Sequence, residues 1–302
     1  MTQWNLDGAA DAVLPARDAE RSVSNFERER ALPARTAEAP IGVFDSGAGG
    51  LTILTTLRQE LPHENYIYIG DTAHVPYGQR SDGEIVDLSI ASVRFLVEQG
   101  AKLVVVACNT ASQAALNTLR ATFNIPIVGV VPAVKPAARA TRKGRVGVAA
   151  TNQAAKAAYL QHLIDEFAEG IQVYAIGCPE LVALVEAGIF DGPEAEQTVR
   201  QALQPLLAAD VDVIVLGCTH FPAMRPLIER VVGQHIQVID SGAAIARRTR
   251  SVLDAEGLMH PAGGPGRVDI WCSGDPIAFT RVASKLLGDA VIAHQTTIIP
   301  AP

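Results

Sequence analysis

Short apolar runs recur along the chain, and each is followed by a polar break and then by a segment of mixed periodicity. The runs are Ile41–Phe44, Tyr66–Ile69, Leu103–Ala107, Ile127–Val131, Val146–Ala150, Ile171–Ile176, Val213–Leu216, Gln237–Ile239 and Val268–Trp271. Several are apolar at consecutive positions, the pattern of strands buried on both faces in a parallel sheet. Between them, apolar residues at helical spacing predict helices over Leu51–Glu60, Asp82–Gln99 (capped by Asp82, with Gly100 at its end), from about Ala111 to Phe123, and over Lys135–Lys143, Ala154–Glu169, Glu180–Ala187, Pro193–Ala208, Ala243–Asp254 and Pro276–Leu287. Strand and helix alternate throughout. The expected class is α/β, with two similar parallel-sheet domains and a ligand in the cleft between them.

Two of the runs end alike. Leu103–Ala107 stops at Cys108-Asn109-Thr110, and Val213–Leu216 stops at Gly217 and Cys218-Thr219-His220. The carboxyl end of a strand, beside a helix start, is where open α/β sheets bind ligands. There, unpaired backbone N–H groups favour a thiolate. One such cysteine reads as a buried core residue; two in matching settings read as chemistry. The expected division is a first domain of residues 40–131 and 241–302 carrying Cys108, and a second of 132–240 carrying Cys218. Residues 1–39, rich in Ala, Arg and acids, read as a disordered extension with a helical piece near Arg21–Leu32, or as the product of a start codon placed too early.

Composition narrows the function. The net charge is −7, and the basic stretch Ala138–Arg145 lies between a helix and a strand. Neither suggests binding to nucleic acid or to an anionic membrane. Four cysteines without paired spacing do not form a disulfide framework and fit a reducing cytoplasm. No apolar run reaches membrane-spanning length. Cys218-x-His220 is tighter than usual zinc spacing and no Cys-x-x-Cys occurs, so no metal site is expected and Cys178 and Cys272 read as structural.

The turn Asp45-Ser46-Gly47-Ala48-Gly49-Gly50 lacks the third glycine of a dinucleotide fingerprint, since Thr52 stands there, and no Gly-Lys-Ser/Thr follows. It reads as a turn that lets backbone approach a ligand closely. Asp45, at a strand end, is placed to orient an ammonium group or tune a thiol. Pro76-Tyr77-Gly78 lies in a polar loop of the kind that carries binding residues. Asn109, Thr110 and Thr219 offer amide and hydroxyl groups at helix starts, suited to a carboxylate ligand. His220 can hold a proton beside Cys218.

The set DSGAGGLT (45–52), GDTAHVPYG (70–78), ACNTAS (107–112), CPELVALVEAG (178–188), LGCTHFP (216–222) and SGDPIAF (273–279) resembles the glutamate racemase family over Pro40–Leu287. The resemblance implies a cofactor-independent, two-domain racemase, commonly homodimeric and cytoplasmic, which supplies D-glutamate for peptidoglycan. It implies Cys108 and Cys218 as the two acid/base thiols, with Asp45 assisting Cys108, and His220 and Glu186 assisting Cys218. Ser46, Pro76, Tyr77, Gly78, Asn109, Thr110 and Thr219 would line the glutamate site. The chain departs from the family in its N-terminal extension and in one segment near the site. A second hydroxyl residue usually follows a few positions after Thr151, but Ala154 and Ala155 stand here. The rival readings are an aspartate or hydantoin racemase, a one-cysteine decarboxylase, or an amino-acid-binding protein without catalysis.

Overall fold

The computed structural model describes residues 35–300. Within them are ten strands: β1 (Ile41–Asp45), β2 (Tyr66–Gly70), β3 (Leu103–Val106), β4 (Ile127–Gly129), β5 (Arg145–Ala150), β6 (Gln172–Gly177), β7 (Val213–Leu216), β8 (Gln237–Ile239), β9 (Val268–Cys272) and β10 (Ala293–Gln295). The helices are α1 (Leu51–Glu60), α2 (Asp82–Glu98), α3 (Asn109–Thr122), α4 (Val134–Ala140), α5 (Ala158–Phe167), α6 (Pro179–Glu186), α7 (Pro193–Ala208), α8 (Arg225–Val232), α9 (Gly242–Glu256) and α10 (Pro276–Leu287). They form two sheets, ordered β10-β9-β2-β1-β3-β4 and β6-β5-β7-β8, and every strand pair is parallel. The class is α/β, as the alternation of elements predicts.

Alternation within each strand sends side chains to both faces. In β3, Leu103 and Val105 join the core under α1, α9 and α10, while Val104 and Val106 join the core under α2 and α3. The second sheet is likewise covered by α6, α7 and α8 on one face and by α4 and α5 on the other. Burial on both faces is why these runs are uninterrupted by polar residues.

The two sheets repeat one topology. The order β2-β1-β3-β4 matches β6-β5-β7-β8, so β1 corresponds to β5 and β3 to β7. The match extends to single hydrogen bonds. Ala107 N–H donates to the Phe44 carbonyl and Gly217 N–H to the Ala149 carbonyl, each at 2.7 Å. Cys108 and Cys218 each follow one of these residues. They are equivalent positions, each at the point where its strand order reverses.

Several expectations differ in detail. Ser81, not Asp82, caps α2: its hydroxyl accepts from Glu84 N–H while Glu84 returns a bond to Ser81 N–H. Two elements were not predicted, α8 and β10. Pro222 and Pro226 both sit at helix starts, where a missing N–H costs little. Helix α4 stops at Ala140 because the next residues turn to Asp212, whose carboxylate accepts from Thr141 Oγ1 and from the N–H groups of Arg142 and Lys143. The basic character of that stretch is further spent on Asp210, which pairs with Lys143 and Arg145. Of the expected extension 1–39, residues 1–34 with the helical piece near Arg21–Leu32 lie outside the described residues. Residues 35–39 are part of the body: Ala37 accepts from the buried Lys102 ammonium and Glu38 from Asn65 Nδ2.

Candidate active site

The site is built where the carboxyl ends of the two sheets meet. Ser46, Val75, Pro76, Tyr77, Gly78, Cys108, Asn109, Thr110, Thr151, Val182, Cys218, Thr219 and His220 line one cavity. Its volume is about 10 Å³, room for about one water molecule. Among the described residues all four cysteines are free and buried, and no group of three or more His, Cys, Asp or Glu could hold a metal.

Cys108 caps α3. Its sulfur accepts from Ala111 N–H at 3.4 Å and lies 3.5 Å from the Ser46 hydroxyl. These contacts favour a thiolate, as expected of a helix start, but they are outweighed. Burial, and then the nearby Asp45 carboxylate, push the thiol up to about 12. Asp45 is itself fully buried at the end of β1. It accepts from Gly47 N–H at 2.9 Å and from Thr219 Oγ1 at 3.0 Å. Burial still raises it above the ordinary carboxylate range.

Cys218 has different company. Its sulfur lies 3.5 Å from His220 Nδ1, and His220 Nε2 lies 2.6 Å from Glu186 Oε1. Burial alone would lower the imidazole, but Cys218 on one side and Glu186 on the other raise it well above its ordinary value. Burial would raise Glu186, yet its bond to His220 and the Ala48 N–H at 2.7 Å hold it below the ordinary carboxylate value. A protonated His220 therefore places a positive charge beside the Cys218 sulfur, 3.5 Å away at Nδ1.

The glycine turn 45–50 is explained by the opposite half of the molecule. A Cβ on Gly47 would lie 2.0 Å from Glu186 Oε1, and one on Gly49 would lie 2.5 Å from His220 Nδ1. The backbone approaches the side chains at the end of α6 and in the turn after β7, with no room left for a methyl group.

The model of the Asp/Glu/Hydantoin racemase family matches residues 51–249. The chain belongs to that family. It is 49% identical over 246 residues to a curated glutamate racemase of Deinococcus radiodurans, covering 81% of this chain and 85% of that one. Among solved structures, glutamate racemase isoform RacE1 of Bacillus anthracis superposes with a TM-score of 0.78 at 32% identity, covering 87% of this chain and 98% of the other. Escherichia coli glutamate racemase, solved with L-glutamate, does so with a TM-score of 0.76 at 36% identity, covering 86% and 99%.

Within this racemase fold every residue singled out from the sequence comes to one place. Ser46, Pro76, Tyr77, Gly78, Cys108, Asn109, Thr110, Cys218, Thr219 and His220 face the cavity, while Asp45 and Glu186 stand one hydrogen bond behind it. Sequence reasoning passed over Thr151, Val75 and Val182. The departure noted at Ala154 does not empty the site of a hydroxyl. Thr151 follows β5 as Ser46 follows β1, and its Oγ1 lies 3.0 Å from Thr110 Oγ1. The signal that could have found Thr151 was the repeat itself, since it stands where the matching strand ends.

Proposed function

We propose that this chain is a glutamate racemase, interconverting L- and D-glutamate without a cofactor by proton transfer between two thiols. One observation carries the reading: equivalent strand-end cysteines of two like sheets line a single cavity, each with its own polar partners. Removing the α-proton from one face and returning it to the other requires two groups on opposite sides of one carbon. The two sheets supply them without moving the substrate. We take the sheets as the cores of two domains, 40–131 with 241–302 and 132–240.

In this scheme Cys108 and Cys218 alternate as acid and base. Which sulfur starts as the base depends on which enantiomer is bound. Glu186 fixes the imidazolium, and Asp45 with Asn109 receives the substrate ammonium. Asn109 supports that role, because its Oδ1 is buried and without a hydrogen-bond partner. An ammonium brought beside Cys108 would offset the Asp45 charge and ease release of its proton. The hydroxyls of Ser46, Thr110, Thr151 and Thr219 and the wall Pro76-Tyr77-Gly78 complete the seat. Positioned acid–base groups contribute on the order of 10²–10⁴ in rate, about 3–5 kcal/mol. The remainder falls to placement and to donors that hold the carboxylate as charge develops. A cavity this small cannot admit glutamate, so the two halves part for substrate to enter.

The D-glutamate would serve peptidoglycan synthesis in the cytoplasm, and the enzyme would act as a homodimer. The family resemblance supports these points, and among the described residues no helix is long and apolar enough to cross a membrane. The test is incubation with L-glutamate in D₂O. Optical rotation should decay to zero while the α-proton is replaced by deuterium. Unchanged rotation with a retained α-proton defeats the reading, and faster turnover of L-aspartate redirects it to the aspartate racemases.

A further inference from the structure

Of the stretches GDTAHVPYG (70–78) and SGDPIAF (273–279), only Val75, Pro76, Tyr77 and Gly78 line the cavity. They meet in space. Asp71, immediately after β2, is buried to 0% exposure and bears no contact with the cavity. Its Oδ2 accepts from the Tyr77 hydroxyl at 2.7 Å. Its Oδ1 accepts from the Ser273 hydroxyl at 2.6 Å and lies 2.8 Å from His74 Nδ1. Ser273 Oγ accepts in turn from Ala73 N–H at 2.9 Å, and Gly274 N–H donates to Thr72 Oγ1 at 2.9 Å. A Cβ on Gly274 would lie 2.7 Å from that hydroxyl, so only glycine allows the two turns to touch. The rest of SGDPIAF anchors the second turn: Asp275 caps α10 through Ile277 N–H, Pro276 opens the helix, and Phe279 stacks on Tyr68.

A buried carboxylate is costly unless its lone pairs are filled. Here they are filled by groups from three places: the substrate wall (Tyr77), its own loop (His74) and the turn after β9 (Ser273). We propose that Asp71 and Ser273 are positioning residues, a clasp that fixes Tyr77 and the loop 72–78 as the wall of the substrate seat. The clasp holds the wall and touches neither thiol. Its loss should therefore weaken substrate binding much more than proton transfer. This inference rests on the glutamate racemase reading for its kinetic part only.

The experiment compares Ser273→Ala, Ser273→Thr, Tyr77→Phe and the double variant Ser273→Ala/Tyr77→Phe with the wild-type chain. Ser273→Ala should raise KM for L-glutamate about tenfold, with kcat within about threefold of wild type. Ser273→Thr, which keeps the hydroxyl, should restore KM. The double variant should be less than the product of the two single effects, since both act through one carboxylate. Amide hydrogen exchange over residues 72–80 should quicken in Ser273→Ala and stay unchanged over 103–112. A KM within twofold of wild type in a racemising Ser273→Ala enzyme, or unaltered exchange over 72–80, overturns the clasp. So does a lowered Tm with KM and exchange both at wild-type values. If the wild-type chain leaves glutamate unchanged, the glutamate reading fails separately, and the exchange measurement still decides the clasp.

Discussion

Cys108 and Cys218 occupy matched positions in matched sheets, down to the hydrogen bond that precedes each, yet their surroundings are unlike. A fourteen-residue helix starts at Cys108, whose sulfur meets a backbone N–H and a serine hydroxyl. Cys218 is followed by a short 3-10 turn and an imidazole clamped by a carboxylate. At the residue closing the first strand of each pair stands Asp45 on one side and Ala150 on the other. The repeated fold thus brings the two sulfurs to equivalent strand ends, while the side chains around them differ. Position comes from the backbone repeat, polar company from the departures from it.

The strongest way to break the comparison is to remove either sulfur. Cys108→Ser or Cys218→Ser should each cut racemisation by about 10³-fold or more with the fold intact by circular dichroism, because the transfer needs both faces. Near-normal turnover in either would show that the pair does not act together. His220→Asn removes the cation from one side only. It should cost on the order of 10²-fold in kcat for racemisation, as polarimetry would record. Gly49→Ala tests the contact between halves. The added methyl would have to displace His220 or Thr219, so kcat should fall and stability should drop by about 1–3 kcal/mol in urea titration.

The smallest effect concerns pH. Cys108 is raised from 9.0 to about 12 in the folded chain. Between those values the unfolded chain has released a proton that the folded chain keeps, so stability falls as pH rises through this window. The slope from one such group is at most about 1.4 kcal/mol per pH unit. Cys178 contributes in the same direction, since burial pushes it too up to about 12. Urea midpoints measured across alkaline pH should decline less steeply for Cys108→Ser than for wild type.

Much of this was legible in the residues. Uninterrupted apolar runs gave the parallel sheets, and the repeated Cys-containing strand ends gave the site. The glycines at 47 and 49 signalled close approach, though the approaching groups are Glu186 and His220, which the chain places 139 and 171 residues downstream. That distance is why no local pattern could name the partner. The same holds for Asp71: an aspartate in a polar loop looks solvated until Ser273 arrives from the far end of the chain to cover it. The protonation of Cys108 was misjudged for a related reason. The helix start is visible in sequence; the depth of burial and the nearness of Asp45 depend on tertiary packing.

The glycine turn 45–50 makes contact across the seam through Ala48 N–H to Glu186 and through Asp45 to Thr219. Each carboxylate therefore takes one of its donors from across the seam, so a displacement at this single joint would disturb the surroundings of both sulfurs together.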